Sequence, residues 1–247
     1  MDHYAAAMKG VILTVCPRAR IVDISHEVGA FDIAEGAYTI AQAYAFFPPG
    51  TVHVVVVDPG VGSARRPILM EASGQLFVAP DNGVLSMIYR REKHRIRLIA
   101  REEYFRQPVS PTFHGRDIFA PVAAHLAAGV RPARIGPPIR DYQGGFPLAE
   151  RTGKRTWTGR ILKIDRFGNV ITSFHALEFP RLEQRDFTLL AGGYEIETLA
   201  RHYAEAPPGE LVAIVGSGGY LEISINRDSA ARRIACEAGA AVELKMR

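Results

Sequence analysis

Three short polar clusters interrupt otherwise apolar stretches, and each combines groups that chemistry uses. In the first, the run Val54-Val55-Val56-Val57 stops at Asp58, and the segment Pro59-Gly60-Val61-Gly62-Ser63-Ala64 delivers Arg65 and Arg66. A carboxylate and two guanidinium groups at the end of an apolar strand suit a ligand site, because ligands in open parallel sheets gather at the carboxyl ends of strands. A turn-capping aspartate with two solvated arginines would use the same residues. In the second cluster, Thr112-Phe113-His114-Gly115-Arg116-Asp117 precedes an apolar run that starts at Phe119. His114 offers a base of ordinary pKa about 6.5 or a packing group, and Asp117 offers an N-cap. The third, Asp165-Arg166-Phe167-Gly168-Asn169, lies between two strand-like segments, where hairpin chemistry alone accounts for its Gly-Asn pair.

Two other features carry less. Gly216-Ser217-Gly218-Gly219 resembles a phosphate loop, but it leads into a strand-like run and no Gly-Lys-Ser/Thr follows, so no helix N-terminus is there to receive a phosphate. The eight histidines never fall at the spacing of a HExxH or facial-triad site, so no catalytic metal is expected.

The elements that must position these residues fall into two groups. Over residues 1–150 strand alternates with helix: strands at 11–15, 20–24 and 52–57, a helix at 33–47 ended by Pro48-Pro49-Gly50, and a hairpin-like pair at 68–72 and 75–78 around Ser73-Gly74. A helix at 82–89, a strand at 95–99 and a helix at 119–128 complete the series. Such alternation predicts an α/β domain, with a mostly parallel sheet covered by helices on both faces. The Pro- and Gly-rich stretch at 130–156 reads as a crossover linker. Over residues 151–247 strand-like runs at 160–164, 170–173, 187–190, 194–198, 211–215, 220–225 and 241–245 predict a small all-β barrel.

Composition narrows the class. With 247 residues and 47% hydrophobic content the chain can bury a substantial core. No stretch has the length and apolar purity of a membrane span, and the N-terminus lacks a basic-then-apolar leader pattern, so a cytoplasmic protein is expected. Cys16 and Cys236 form no CxxC pair and read as small core residues. The net charge of +4 rests on interleaved acids and bases, as in Arg90-Arg91-Glu92-Lys93-His94-Arg95, which describes a solvated face and not a nucleic-acid surface.

Taken together, the clusters resemble a family. Asp2-His3-Tyr4-Ala5-Ala6-Ala7-Met8-Lys9-Gly10, Asp23-Ile24-Ser25-His26, Phe46-Phe47-Pro48-Pro49-Gly50-Thr51-Val52, Val57-Asp58-Pro59-Gly60-Val61-Gly62, Ala79-Pro80-Asp81-Asn82-Gly83, Thr112 to Asp117, Asp165 to Asn169 and Gly219-Tyr220-Leu221-Glu222-Ile223 stand in the order of the S-adenosylmethionine hydroxide adenosyltransferases. That hydrolase branch belongs to the superfamily that also holds the adenosyl fluorinases and chlorinases. The resemblance implies an α/β domain followed by a β-barrel, a homotrimer with active sites between subunits, and conversion of S-adenosylmethionine and water to adenosine and methionine. No cofactor, nucleic acid or membrane is implied.

By the same matching, Asp58, Arg65 and His114 fall on the family's water-handling triad. Arg65 would favour hydroxide electrostatically, His114 could take up the proton, and Asp58 would orient water or His114 and balance the arginine. Asp165, Phe167 and Asn169 fall where the family holds the adenine and methionine ends, with Ser217 nearby, Phe31 against the nucleoside and Asp2 near the methionine amino group. The chain departs from the halogenases at Gly115, where they place a halide-binding serine, and at Asp58, where they place an aromatic hydroxyl; it also lacks their arginine after Ser217. Both of the first two departures favour hydrolysis over halide transfer, with a catalytically silent adenosine-binding protein as a further alternative. Family members normally begin with a strand ending in Thr-Asp-Phe-Gly, whose aspartate grips the ribose; this chain starts just past it, which suggests a mis-called start or a truncation.

Overall fold

The computed structural model describes residues 2–180 and 182–247. The chain divides into two units, one running to Phe146 and the other from Pro147 onward.

The first unit is mixed α/β. Its elements are α1 (Tyr4–Val15), α2 (Ile33–Ala43), β1 (Val52–Val54), β2 (Pro67–Ala72), β3 (Gln75–Pro80), α3 (Ser86–Tyr89), β4 (His94–Leu98), α4 (Ala120–Ala127), α5 (Pro132–Ile135) and β5 (Pro138–Ile139). The sheet runs β1-β3-β2-β4-β5. The expected mostly parallel sheet is not what forms: only β1 and β3 pair parallel, whereas β2 pairs antiparallel with both β3 and β4, and β4 antiparallel with β5. For β2 and β3 the cause is local, since Ser73 and Gly74 both take positive φ, 51° and 73°, the geometry of a tight hairpin that turns β3 back along β2.

Three expected strand segments also differ. Residues 11–15 are helical, because their β-branched run continues a stretch of strong helix formers, Ala5-Ala6-Ala7-Met8-Lys9, and α1 packs on α4. Residues 20–24 join no ladder. Residues 55–57 leave the sheet after one bond, Val55 N–H to Val78 O at 3.0 Å. Beyond that point β3 presents Pro80, which has no N–H to continue the ladder. The helix expected at 33–47 stops at Ala43, followed by a 3₁₀ turn at Tyr44–Phe46. That expected at 82–89 shrinks to α3.

The sheet carries apolar contacts on two faces. Leu69 and Val78 pack with Phe119, Val122 and Leu126 around α4. On another side of β3, Phe77 stacks on His53 at 4.7 Å and meets Tyr44 edge-on. Each such buried side chain contributes about 1.5–3 kcal/mol of burial free energy.

The second unit is dominated by strands: β6 (Ala149–Arg151), β7 (Thr156–Ile164), β8 (Val170–His175), β9 (Phe187–Ala191), β10 (Tyr194–Ile196), β11 (Leu199–Ala200), β12 (Leu211–Val215), β13 (Tyr220–Ile225) and β14 (Ala241–Met246). An eight-strand path, β10-β9-β14-β7-β8-β13-β12-β11, curls into a half-barrel, with β6 paired to β7 off that path. The curl centres on β7, whose first half pairs with β14 and whose second half pairs with β8. Gly159 lies there, where a Cβ would come within 2.5 Å of Ser173 Oγ. Phe174, Phe187, Leu189, Leu221 and Leu244 fill the inside. One short helix, α6 (Ala230–Ile234), β6 and β11 were not expected. Among the described residues no helix is long and apolar enough to cross a membrane.

Candidate active site

The turn after Val57 is built from residues that cannot form a core of their own, so the surrounding backbone shapes it. Val61 N–H bonds to Asp58 O, and Ser63 donates both its N–H and its hydroxyl to Gly60 O. Gly62 sits at φ 79° against the 111 carbonyl, where a Cβ would fall 2.3 Å from Pro111 O. Only glycine fits there. The turn thereby brings Arg65 back over Asp58 and presses the pair against the loop that carries His114.

Asp58, Arg65 and His114 meet. Arg65 Nε donates to Asp58 Oδ1 at 2.8 Å, and Nη2 closes the fork on Oδ2. The same Nη2 lies 2.9 Å from His114 Nδ1. The guanidinium carbon stands 5.1 Å from the centre of the Phe119 ring. The Arg65 and Asp58 side chains are 8% and 6% exposed, yet Arg65 Nη1 is buried with no hydrogen-bond partner. A buried orphan donor costs free energy unless a ligand or water meets it, and Nη1 is such a donor within this site.

The histidine is held in one role. Arginine has no acceptor, so His114 Nδ1 must accept and the ring proton of the neutral form sits on Nε2. Burial first, then the Arg65 charge, lowers the His114 pKa below 6.5, against the opposing pull of Asp58 and Asp117. The imidazole is neutral at pH 7.

His114 opens a π-helical turn, Gly115–Phe119, ahead of α4, and π turns recur at functional sites. Asp117 does not cap the helix. It is fully buried and binds Arg116 through both carboxylate oxygens at 2.7 Å, Arg106 Nη1 at 3.1 Å and Ser110 N–H at 2.9 Å. Burial alone would raise its pKa, but these donors outweigh it and hold the carboxyl below the usual range. The loop from 106 to 117 is therefore tied to the foot of His114. Arg66 is not simply solvated: its guanidinium grips Asp81 at 2.8 Å and Asp141 at 3.0 Å.

Within the second unit, Asp165, Phe167 and Asn169 share one turn. Asp165 Oδ1 accepts from Phe167 N–H and Asn169 N–H, both at 2.9 Å, and Oδ2 accepts from the Asn169 amide at 2.8 Å. Asn169 is 6% exposed while the Phe167 ring stands 73% exposed, a flat apolar surface projecting from a rigid turn. Glu222, 8% exposed, accepts from the Tyr203 hydroxyl at 3.4 Å; burial and then the Asp165 charge raise its pKa. Glu222 stood in a quoted motif without a role and Asp117 read as an N-cap, because nothing local announces that they are buried. Asp2, Phe31 and Ser217 are exposed, and among the described residues no hydrogen bond or ion pair joins their side chains to either group. Phe31 takes φ 67° just before the N-cap of α2, Asp32.

Comparison with known proteins adds a second line of evidence. Residues 1–136 match the model of the SAM hydroxide adenosyltransferase N-terminal domain, and residues 159–243 that of the C-terminal domain. A Thermus thermophilus protein named (R)-S-adenosyl-L-methionine hydrolase is 34% identical, over 98% of this chain and 94% of its own. A Nocardia brasiliensis fluorinase is more distant, 29% identical over 99% of this chain and 93% of its own. The crystal structure of an uncharacterized conserved protein from Thermotoga maritima superposes with a TM-score of 0.88 at 35% identity, covering 99% of this chain and 95% of that one.

Proposed function

The chain belongs to the SAM hydroxide adenosyltransferase family, and from that premise we propose that it hydrolyses S-adenosyl-L-methionine to adenosine and L-methionine. The observation that carries the reading is the unpaired, buried Nη1 of Arg65 beside Asp58 and His114. Hydrolase relatives at 34–35% identity over nearly the whole length support it, and the fluorinase relatives are more distant. A Cβ at Gly115 would lie 3.0 Å from Met8 Sδ, so a halide-holding serine there would require the Met8 side chain to shift.

The chemistry follows from the substrate. A sulfonium leaves as a neutral thioether, so C5′ needs a positioned oxygen nucleophile in line with the breaking C–S bond and neither leaving-group protonation nor a cofactor. A water accepting from Arg65 Nη1 gains hydroxide character as charge develops on its oxygen. The only acceptor nitrogen of His114 is engaged by Arg65, so the proton goes to Asp58, whose carboxylate keeps acceptor sites beyond the two that Arg65 uses. His114 holds Arg65 in place. In the same proposal Asp165, Phe167 and Asn169 bind the adenine and methionine ends, with Asp2, Phe31 and Ser217 contributing; the triad and the Asp165 turn lie on different units of the chain. The family resemblance implies a cytoplasmic homotrimer, for which sedimentation equilibrium should return three times the chain mass.

Incubating the purified protein with S-adenosylmethionine and resolving the products by chromatography tests the activity. Adenosine and methionine are expected from the wild type and not from Asp58→Ala. A 5′-halo-5′-deoxyadenosine product in chloride, or no turnover at all, would overturn the reading.

A further inference from the structure

Directly after β3, two residues reach both ends of the turn that carries Asp58 and Arg65. At the leading end, the Asn82 side-chain amide donates to Val57 O at 2.8 Å, one residue before Asp58. Its other end is fixed, because Asn82 Oδ1 accepts from Val84 N–H at 3.2 Å. At the trailing end, Asp81 N–H donates to Arg66 O at 2.8 Å, one residue after Arg65. The Asp81 carboxylate, 3% exposed, then takes the Arg66 side chain as well: Oδ2 accepts from Nε at 3.2 Å and from Nη2 at 2.8 Å. Gln143 N–H occupies Oδ1 at 2.8 Å, and Arg66 Nη1 continues to the Asp141 carboxylate at 3.0 and 3.1 Å. A cavity of about 470 Å³ borders this network, lined by Ala64, Arg65, Arg66, Asp81, Asn82 and Gln143.

Of the intervening residues only Pro59 and Val61 are larger apolar groups, and Gly60 and Gly62 lose more backbone freedom on ordering than other residues. The Asp58–Arg65 fork closes the turn on itself but does not fix where it points. We propose that Asp81 and Asn82, with Arg66, are positioning residues of the reaction: they clamp the two ends of the turn so that Arg65 keeps its reach to His114 and aims Nη1 at the nucleophile. The proposal rests on the hydrolase reading of Arg65, and its test can fail separately from that reading.

Asn82→Ala removes the clamp at the leading end, and Arg66→Lys keeps the charge facing Asp81 while losing the fork at the trailing end. Each is expected to lower kcat by about 10–100-fold, the scale of an ångström-sized misplacement, with KM and adenosine affinity within roughly two-fold of wild type. A role confined to stability would lower the melting temperature alone. The second readout needs no turnover: in NMR titrations the His114 ring is expected to titrate higher than in the wild type in both variants, because the Arg65 charge moves away from Nδ1 while the ring stays buried. Wild-type kcat in both variants overturns the proposal, and so does an unmoved His114 titration. If the wild type fails to turn over S-adenosylmethionine, the functional reading falls and the titration alone decides whether the clamp sets the geometry.

Discussion

Arg65→Lys separates charge from geometry at the centre of the site. Arg65 holds Asp58 through Nε and Nη2 and His114 through Nη2, and in the proposed reaction it meets the nucleophile through Nη1. A lysine ammonium carries the same charge but no planar fork, so it cannot hold Asp58 and His114 in their present positions and still present a donor to water. Loss of one pre-aimed donor to developing oxyanion charge costs about 10²–10³ in kcat, or about 2.7–4 kcal/mol. Stability should respond differently. The pair's side chains are 8% and 6% exposed, so Arg65→Met strands the Asp58 charge, at a cost of about 3–5 kcal/mol, whereas Arg65→Lys leaves a counter-charge in place. Single-turnover rates and thermal melts on both variants read the two effects apart. The expected pattern is a large rate loss with a small melting shift for Arg65→Lys, and a large loss of both for Arg65→Met. A kcat within about three-fold of wild type for Arg65→Lys would refute the assignment of Nη1 to the nucleophile.

Two other outcomes follow from the same geometry. Because burial and the Arg65 charge lower the His114 pKa, its neutral form is kept at and above neutral pH. Protonation on acidification sets an Nδ1–H against Arg65 Nη2, so kcat should hold above the usual value of about 6.5 and fall as pH drops through a midpoint below it. A pH–rate profile with its acid limb above 6.5 would contradict this. Gly62→Ala places a Cβ 2.3 Å from Pro111 O and forces a side chain into positive φ. The left-handed backbone alone costs about 1–2 kcal/mol, and kcat should fall about ten-fold or more as the turn shifts. Wild-type melting and turnover in that variant would show that the turn does not rest on the 111 carbonyl.

How far these features could be read from the sequence depended on where their causes lie. The hairpin at Ser73-Gly74 and the strands β12 and β13 are signalled locally, by turn residues and apolar runs within the elements themselves. The antiparallel pairing of β2 with β3 follows from that same hairpin, but alternation of strand and helix concealed it. The end of β1 at Val54 depends on a proline in the neighbouring strand, and the helical state of residues 11–15 on what precedes them and on α4. The grouping of Asp58, Arg65 and His114 could be suggested only by family resemblance, since residues 49 positions apart in sequence share no local pattern. Asp81 and Asn82 stood in a quoted motif without a role, because their partners lie at residues 57, 66 and 143.

The charge balance of the cluster bears on why an arginine stands between the acid and the imidazole. Asp58 and Arg65 offset each other and His114 is neutral, so the group presents little net field to a cationic sulfonium. A site of bare carboxylates would hold the sulfonium most tightly before reaction, when its positive charge is complete, and that binding would be lost as the C–S bond breaks. In the proposed reaction the unpaired Nη1 instead becomes more useful as the reaction advances, because its partner changes from a neutral water to an oxygen bearing negative charge. Transfer of the water proton to Asp58 leaves the total charge of the cluster and nucleophile unchanged while converting the Asp58–Arg65 pair into an Arg65–hydroxide pair. The favourable interaction is thus moved onto the nucleophile, and a guanidinium with one fork on the acid and one free nitrogen is the side chain whose shape permits that transfer.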